Sequence, residues 1–351
     1  MLKLAFFGSD YFSINCLKQI LPLYNSTNPT TSLISHLDII TRSPKLSGRG
    51  MKQFKDVPIV LFANNESLNL LRADKKIDFQ NLLDKNNYDI CIAVSYGKLI
   101  PSSFLKSLKF GGLNVHPSIL PKYSGPAPLQ RALLNNDLET GVTVQTLHPT
   151  EFDKGDILLQ QKYNIKLNET IESLNHELST IGGQLLKRVL EEKIYDLKSP
   201  THQLINPYLP YSYAHKVHSN ERQIDWDNFT SFDLHRRENT LGQLYTFKCF
   251  IPKKKSKSNT SPYKRIVLSN SSSIITPLTN DEINLPNGTF RLFNDDQFQV
   301  KVKDGWVTYS EIKTEGFGSE NGSKFFSSLK KKFGTTDTTF ITIPENNNSC
   351  K

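Results

Sequence analysis

Cysteine is scarce: only Cys16, Cys91, Cys249 and Cys350 occur among 351 residues, and they are widely scattered. With no CxxC and no close Cys/His cluster, this spacing argues against a disulfide framework and a structural zinc site. It points to a reducing compartment. Long apolar runs are missing too. None approaches the ~18 to 20 residues a membrane-spanning helix needs, so no membrane partner is expected. No internal repeat is present, and nothing resembles a nucleophile elbow.

What is there is length and positive charge. A chain of this size holds a sizeable core and is expected to form two domains rather than one. Lysine and arginine number 43 against 34 aspartates and glutamates, a formal charge of +9. From Tyr245 onward the count is 16 against 10, so most of the excess lies in the last third. Such a surplus can serve solubility alone, but concentrated in one domain it also suits a phosphate-backbone partner.

Apolar runs and their punctuation outline the first domain. "LKLAFFG" (2–8), "HLDIITR" (36–42), "DVPIVLFA" (56–63), "YDICIAVSYG" (88–97), "GGLNVHPS" (111–118) and "TGVTVQTLHP" (140–149) read as strands. Helical spacing over 65–84, 127–136 and 170–196 falls between them. The alternation predicts an α/β fold with a doubly wound, mostly parallel sheet. Ligands bind such sheets beyond the carboxyl ends of the strands, so the segments ending at Gly8, Gly97 and His116 should converge. The Pro-rich stretch "KSPTHQLINPYLPYS" predicts a linker. Beyond Glu221, short alternating runs such as "KRIVLS", "GTFRLF", "FQVKV" and "WVTYSEI" predict a small antiparallel or barrel domain. The expected boundaries are a catalytic domain over 1–200, a linker over 201–220, a β domain over 221–335 and a loosely ordered polar tail over 336–351.

Asn114 and His116 stand two apart on a strand and share a face. An imidazole exchanges protons near neutral pH, and a carboxamide N–H can donate to a developing oxyanion. Asp153, in the turn "TEFDKGD", is a carboxylate able to orient or charge-stabilise His116. Taken singly, each has a plain structural explanation. Together they suit attack by a neutral amine on an activated carbonyl, by direct transfer between two bound substrates.

In order along the chain, "NVHPSILPKYSGPAPLQRALL" and "TGVTVQTLHPTEFDKGDILLQ" resemble the formyltransferases that use 10-formyltetrahydrofolate. The resemblance implies a Rossmann-like catalytic domain with Asn114, His116 and Asp153 as catalytic trio, and with Ser118, Ile119, Leu120 and Pro121 lining the tetrahydrofolate site. Three further stretches resemble the methionyl-tRNA branch of that family. "AFFGSDYFS" is similar to its opening strand-turn, with Ser9-Asp10 where bacterial members have Thr-Pro. "TRSPKLSGRGMKQFKDVPI" is similar to its basic insertion, which implies Arg49 entering the end of the acceptor stem and Lys45, Lys52 and Lys55 on phosphates. "YSYAHKVHSNERQIDWDN" resembles the start of its OB-like β-barrel, with Tyr213, Lys216, Asp225 and Trp226 structural. The usual Lys-Lys after "TEG" (314–316) is missing, and the loop "PKKKSKSNTSP" would compensate.

The resemblance thus implies formyl transfer to initiator methionyl-tRNA for translation initiation, with 10-formyltetrahydrofolate as co-substrate and no metal. A monomer is expected. "NVHPS" and the Asn/Ser/Lys-rich composition are similar to organellar, fungal members, which implies the mitochondrial matrix. No Arg-rich transit segment is visible before the first strand. Two other functions stay open: a formyltransferase with a small amine acceptor, such as a sugar nucleotide or glycinamide ribotide, and a non-catalytic RNA-binding protein on a decayed enzyme fold.

Overall fold

The structure, a computed structural model, describes residues 1–25, 32–48, 50, 52–198, 205, 208–251 and 261–343. Two units are present: Met1–Leu167 with Ile171–Lys216, and Asn168–Thr170 with Val217–Lys351.

The first unit runs β1 (Leu2–Gly8), α1 (Tyr11–Asn25), β2 (Ile34–Thr41), β3 (Lys45–Ser47), β4 (Gln53–Lys55), α2 (Pro58–Asn65), β5 (Asn69–Arg72), α3 (Lys76–Lys85), β6 (Ile90–Val94), α4 (Ser102–Ser107), β7 (Gly112–His116), α5 (Pro128–Leu134), β8 (Glu139–Thr146), β9 (Ile157–Asn164) and α6 (Ile171–Glu191). Seven strands form one sheet in the order β5-β2-β1-β6-β7-β8-β9. It is parallel as far as β7, while β8 and β9 run antiparallel. Strand β1 is apolar on both sides because both are covered. Leu4 and Phe6 join a core with α1 and α6, and Ala5 and Phe7 join another with α3 and α4. Successive side chains of a strand point to opposite faces, so a central parallel strand reads as an unbroken apolar run. Chain order reverses between β1 and β6, which makes their carboxyl ends a topological switch point.

The structure corrects two local expectations. "DVPIVLFA" is not a strand: residues 58–65 form α2, with Pro58 in its first turn and Ile59 and Ala63 buried one turn apart. Proline at that position surrenders no needed N–H and presets φ for a helix. In the stretch 65–84, expected to be helical, β5 precedes α3. Four residues carry too little periodicity to declare themselves, and their pairing with β2 makes them a strand. Part of the expected linker is also no linker. Ser124 and Ala214 exchange backbone hydrogen bonds with partners at Ser212 and Ser124, so residues 212–214 lie along the loop after His116.

The second unit holds α7 (Ser231–Leu241), β10 (Leu244–Cys249), β11 (Tyr263–Thr276), β12 (Phe290–Leu292), β13 (Phe298–Val302), β14 (Gly305–Thr314), β15 (Ser319–Glu320) and α8 (Gly322–Phe333). Its sheet is antiparallel, ordered β10-β11-β14-β13-β12, with β15 on β14. Residues 338–341, expected in a loose tail, bridge its two edges. Ile341 and Phe247 of β10 exchange backbone hydrogen bonds, Phe290 of β12 donates to the Thr338 carbonyl, and Phe340 donates to Gly288. An unpaired edge is a liability, and closing the sheet removes it. The basic loop 253–257 and residues 344–351 lie outside the described residues.

Phe340 anchors that closure. Its ring stacks on Phe290 at 4.3 Å and on Trp226 at 6.2 Å, and both Phe340 and Trp226 are buried. Trp226 is a core residue, its indole N–H donating to Thr246 Oγ1 at 2.8 Å. Phe340→Ala therefore costs about 3–5 kcal/mol of folding stability, read from urea unfolding of the full chain. A loose tail would leave the midpoint unmoved.

Candidate active site

Strand β7 ends the parallel part of the sheet, and its last residues carry the chemistry. Val115 points into the core, while Asn114 and His116 point the other way, onto a cavity of about 580 Å³ in the first unit. The ends of β1, β6 and β7 reach this one cavity, contributing Asp10 and Phe12, Ser95 to Gly97, and Asn114 and His116.

Asp153 reaches it from the turn between β8 and β9. One carboxylate oxygen lies 3.4 Å from the Asn114 carboxamide nitrogen and 3.3 Å from His116 Nδ1. The other accepts the Gly125 backbone N–H at 2.8 Å. His116 Nε2 lies 2.9 Å from the Tyr123 carbonyl oxygen. The ring is thus held from both sides by oxygen acceptors, Asp153 and Tyr123, and the side chains of His116 and Asp153 are each less than a tenth exposed. Such a setting fixes the ring's orientation.

The turn itself is tightly specified. Asp153 adopts a left-handed φ of +56°, which aspartate tolerates better than most residues. Two residues on, a Cβ at Gly155 would lie 1.7 Å from the Thr146 carbonyl oxygen. The buried Gln145 side chain accepts the Gly155 N–H at 3.2 Å and also borders the cavity.

Ser118, Ile119, Leu120 and Pro121, expected to line the tetrahydrofolate site, are not among the residues that border this cavity. Ser118, Ile119 and Leu120 are almost wholly buried. Thr143 Oγ1 donates to the Ser118 carbonyl and accepts the Leu120 N–H, and the Gln160 carboxamide donates to the Leu120 carbonyl. The segment is packed inward because Ile119 and Leu120 are buried and the backbone groups of Ser118 and Leu120 find partners there. Gly125, Pro126 and Pro128, further along the same loop, form the wall instead.

Several bordering residues escaped sequence reasoning. Asp10 caps α1 by accepting the Ser13 N–H at 3.0 Å. Burial pushes its carboxyl above the ordinary range, against hydrogen bonds from Ser13 and Ser95. Its position two residues past the strand-ending Gly8 was the available signal. Gln145 had none, since it stands in no distinctive pattern, while Tyr213, expected as a structural residue at the start of the second domain, borders the cavity. The apolar wall comes from Phe12, Tyr96, Ile100, Leu105 and Leu147. Among the described residues no group of three or more His, Cys, Asp or Glu is arranged to hold a metal ion.

The basic insertion forms the two-stranded hairpin β3–β4. Lys45 faces Lys55 directly across it, and Leu46 faces Phe54. Like charges opposite one another are destabilising unless an anion neutralises them. Lys45, Lys52 and Lys55 are all exposed, and so is Phe54, at 72%. Arg49, expected to enter the end of the acceptor stem, lies outside the described residues.

At the base of the hairpin Asp74 accepts the Ser43 N–H at 2.7 Å and pairs with Lys98. Burial works to raise the Asp74 carboxyl, but hydrogen bonds from Lys98 and Ser43 together bring it down to about 2. A carboxyl lowered on folding stabilises the native state fully above its unfolded pKa near 4 and loses that contribution as pH falls towards 2. Urea midpoints measured between pH 5 and 2 should therefore fall less steeply for Asp74→Asn than for the parent chain.

The formyl transferase family matches residues 2–190. The mitochondrial methionyl-tRNA formyltransferase of Saccharomyces cerevisiae is 32% identical over 371 aligned residues, covering 95% of this chain and 90% of the yeast protein. The methionyl-tRNA formyltransferase of Caldicellulosiruptor saccharolyticus is 30% identical over 95% of this chain and 99% of its own. This chain belongs to the methionyl-tRNA formyltransferases. As a methionyl-tRNA formyltransferase it is an enzyme, not a decayed binding module, and its match to tRNA enzymes extends through the second unit. An N-formyltransferase of Helicobacter canadensis, solved with folinic acid and dTDP-3-aminofucose, shares the fold alone. That structure is 18% identical, with a TM-score of 0.51 over 88% of this chain and 99% of its own.

Proposed function

We propose that the enzyme moves a formyl group from N10 of 10-formyltetrahydrofolate to the free amino group of methionyl initiator tRNA, as a monomer in the mitochondrial matrix. The observation that carries the chemistry is the convergence of Asn114 and His116 on one oxygen of Asp153 at a cavity wall. The yeast relative, named as mitochondrial, supports the location.

A cavity of about 580 Å³ with an apolar wall and few polar groups fits a ligand of folate size. The donor supplies an activated formyl carbonyl, and the chain's residues do the rest. With His116 Nε2–H donating to the Tyr123 carbonyl, Nδ1, on the Asp153 side of the ring, is the nitrogen that takes the proton the attacking amine must lose, and the Asp153 carboxylate offsets the charge this puts on the ring. His116 then returns that proton to the departing nitrogen. Asn114 donates a hydrogen bond to the oxygen that gains charge as the carbonyl becomes tetrahedral. Proton transfer of this kind contributes roughly 10²–10⁴ in rate and one oxyanion donor about 10²–10³. Gly125 holds the far oxygen of Asp153, so the carboxylate is oriented before substrate arrives. The Lys45/Lys55 pair and the basic surplus of the second unit suit the phosphates of the acceptor.

The test is acceptor choice. Pure protein with formyl-labelled 10-formyltetrahydrofolate should label charged initiator tRNA, with a KM that climbs steeply with salt. Comparable, salt-insensitive transfer to an amino sugar nucleotide or to glycinamide ribotide would overturn the reading.

A further inference from the structure

The hairpin β3–β4 has three residues per strand and exposes both its lysine pair and Phe54. A two-stranded hairpin of that size does not hold a shape alone in water. Its two ends are nevertheless tied to the body of the first unit. Arg72, the last residue of β5, spans them. Its guanidinium donates to the Arg42 carbonyl at 2.6 Å, at the entrance to the hairpin. It also meets both Asp56 carboxylate oxygens, at 2.8 and 2.6 Å, just past the exit. This contact with Arg72 holds the Asp56 carboxyl below its ordinary range.

Two residues along, Asp74 makes a second tie. One oxygen takes the Ser43 N–H, and the other pairs with Lys98, which borders the cavity within the loop that follows β6. Tyr96 of that same loop donates to the Ala73 carbonyl. Residues 72–74 therefore lie between the basic hairpin and the cavity loop and are bonded to both.

We propose that Arg72 is a positioning residue for the tRNA acceptor: by bridging Arg42 and Asp56 it fixes the hairpin's base, and Asp74 registers that base against the Lys98 loop of the cavity. The proposal rests on the reading that the hairpin meets RNA. It requires no contact between Arg72 and either substrate. A planar fork with several N–H groups is needed, because one carbonyl and a bidentate carboxylate must be met together. Lysine, a point charge, cannot replace it.

Steady-state kinetics on Arg72→Ala, Arg72→Lys and Asp56→Asn, beside Lys45→Ala/Lys55→Ala, test this. For both Arg72 variants the KM for methionyl-tRNA should rise roughly ten- to a hundredfold, with Asp56→Asn in between. The affinity for 5-formyltetrahydrofolate, measured by calorimetry on the same full-length proteins, should stay within twofold. Limited proteolysis should cut the hairpin faster in each. Full rescue by Arg72→Lys, or an unchanged tRNA KM in Arg72→Ala while the lysine variants raise it, would overturn the clamp. An unchanged KM in the lysine variants would instead overturn the RNA-facing reading on which it rests. Loss of folate affinity in Asp56→Asn, which lies off the cavity wall, would point to general misfolding and also defeat the proposal.

Discussion

A folded His116→Ala enzyme is expected to lose formyl transfer by about 10²–10⁴ in kcat, while 5-formyltetrahydrofolate binding changes little. The reason is that the imidazole belongs to the reacting protons rather than to the apolar wall. Truncation removes the group that accepts the amine proton, leaves the Tyr123 carbonyl without the ring and leaves the Asp153 oxygen with Asn114 alone. Single-turnover transfer with saturating tRNA, alongside circular dichroism to verify folding, checks it. Near-parental turnover from a folded variant would remove His116 from the mechanism and with it the trio.

Gly155→Ala is the second large effect, and it acts through the backbone. The new methyl would meet the Thr146 carbonyl oxygen at 1.7 Å and its carbon at 2.6 Å. Both are main-chain atoms in a paired strand, so the turn must move instead. Overpacking of this kind typically destabilises by about 1–3 kcal/mol. Here the moving turn carries Asp153, whose contacts with His116, Asn114 and Gly125 are all at hydrogen-bonding distance. Activity should drop roughly 10²-fold, more than the fall in melting temperature would explain. Gly318→Ala is the matched control, since a Cβ there meets nothing within 4 Å and φ is not left-handed. It should match the parent chain in both readouts. A Gly155→Ala enzyme of normal activity would mean that Asp153 need not be held where it stands.

Much of the site was legible before any coordinates. The i, i+2 placement of Asn114 and His116 follows from strand geometry, and the apolar runs at 2–8 and 88–97 declare buried strands whose ends must meet. Asp153 was legible as a turn carboxylate, but its partner in the Gly125 amide was not. Nothing local links a proline-rich loop to a turn some thirty residues later. The loop 118–121 shows the same limit from the other side. Its residues are conspicuous in sequence, yet Thr143 and Gln160 draw their backbone groups inward and leave Gly125, Pro126 and Pro128 at the wall.

Residue order alone settled the doubly wound α/β plan, the antiparallel second unit and the residue types that converge, because periodicity and turn chemistry are local properties of the chain. Long-range pairing decided the rest. It drew "NLLR" into the sheet beside β2, wound residues 338–341 across the open edges of the second sheet, and set Arg72 between the two ends of a hairpin. In each case the segment's own preference is weak, and the free energy that selects its form comes from partners far away in sequence.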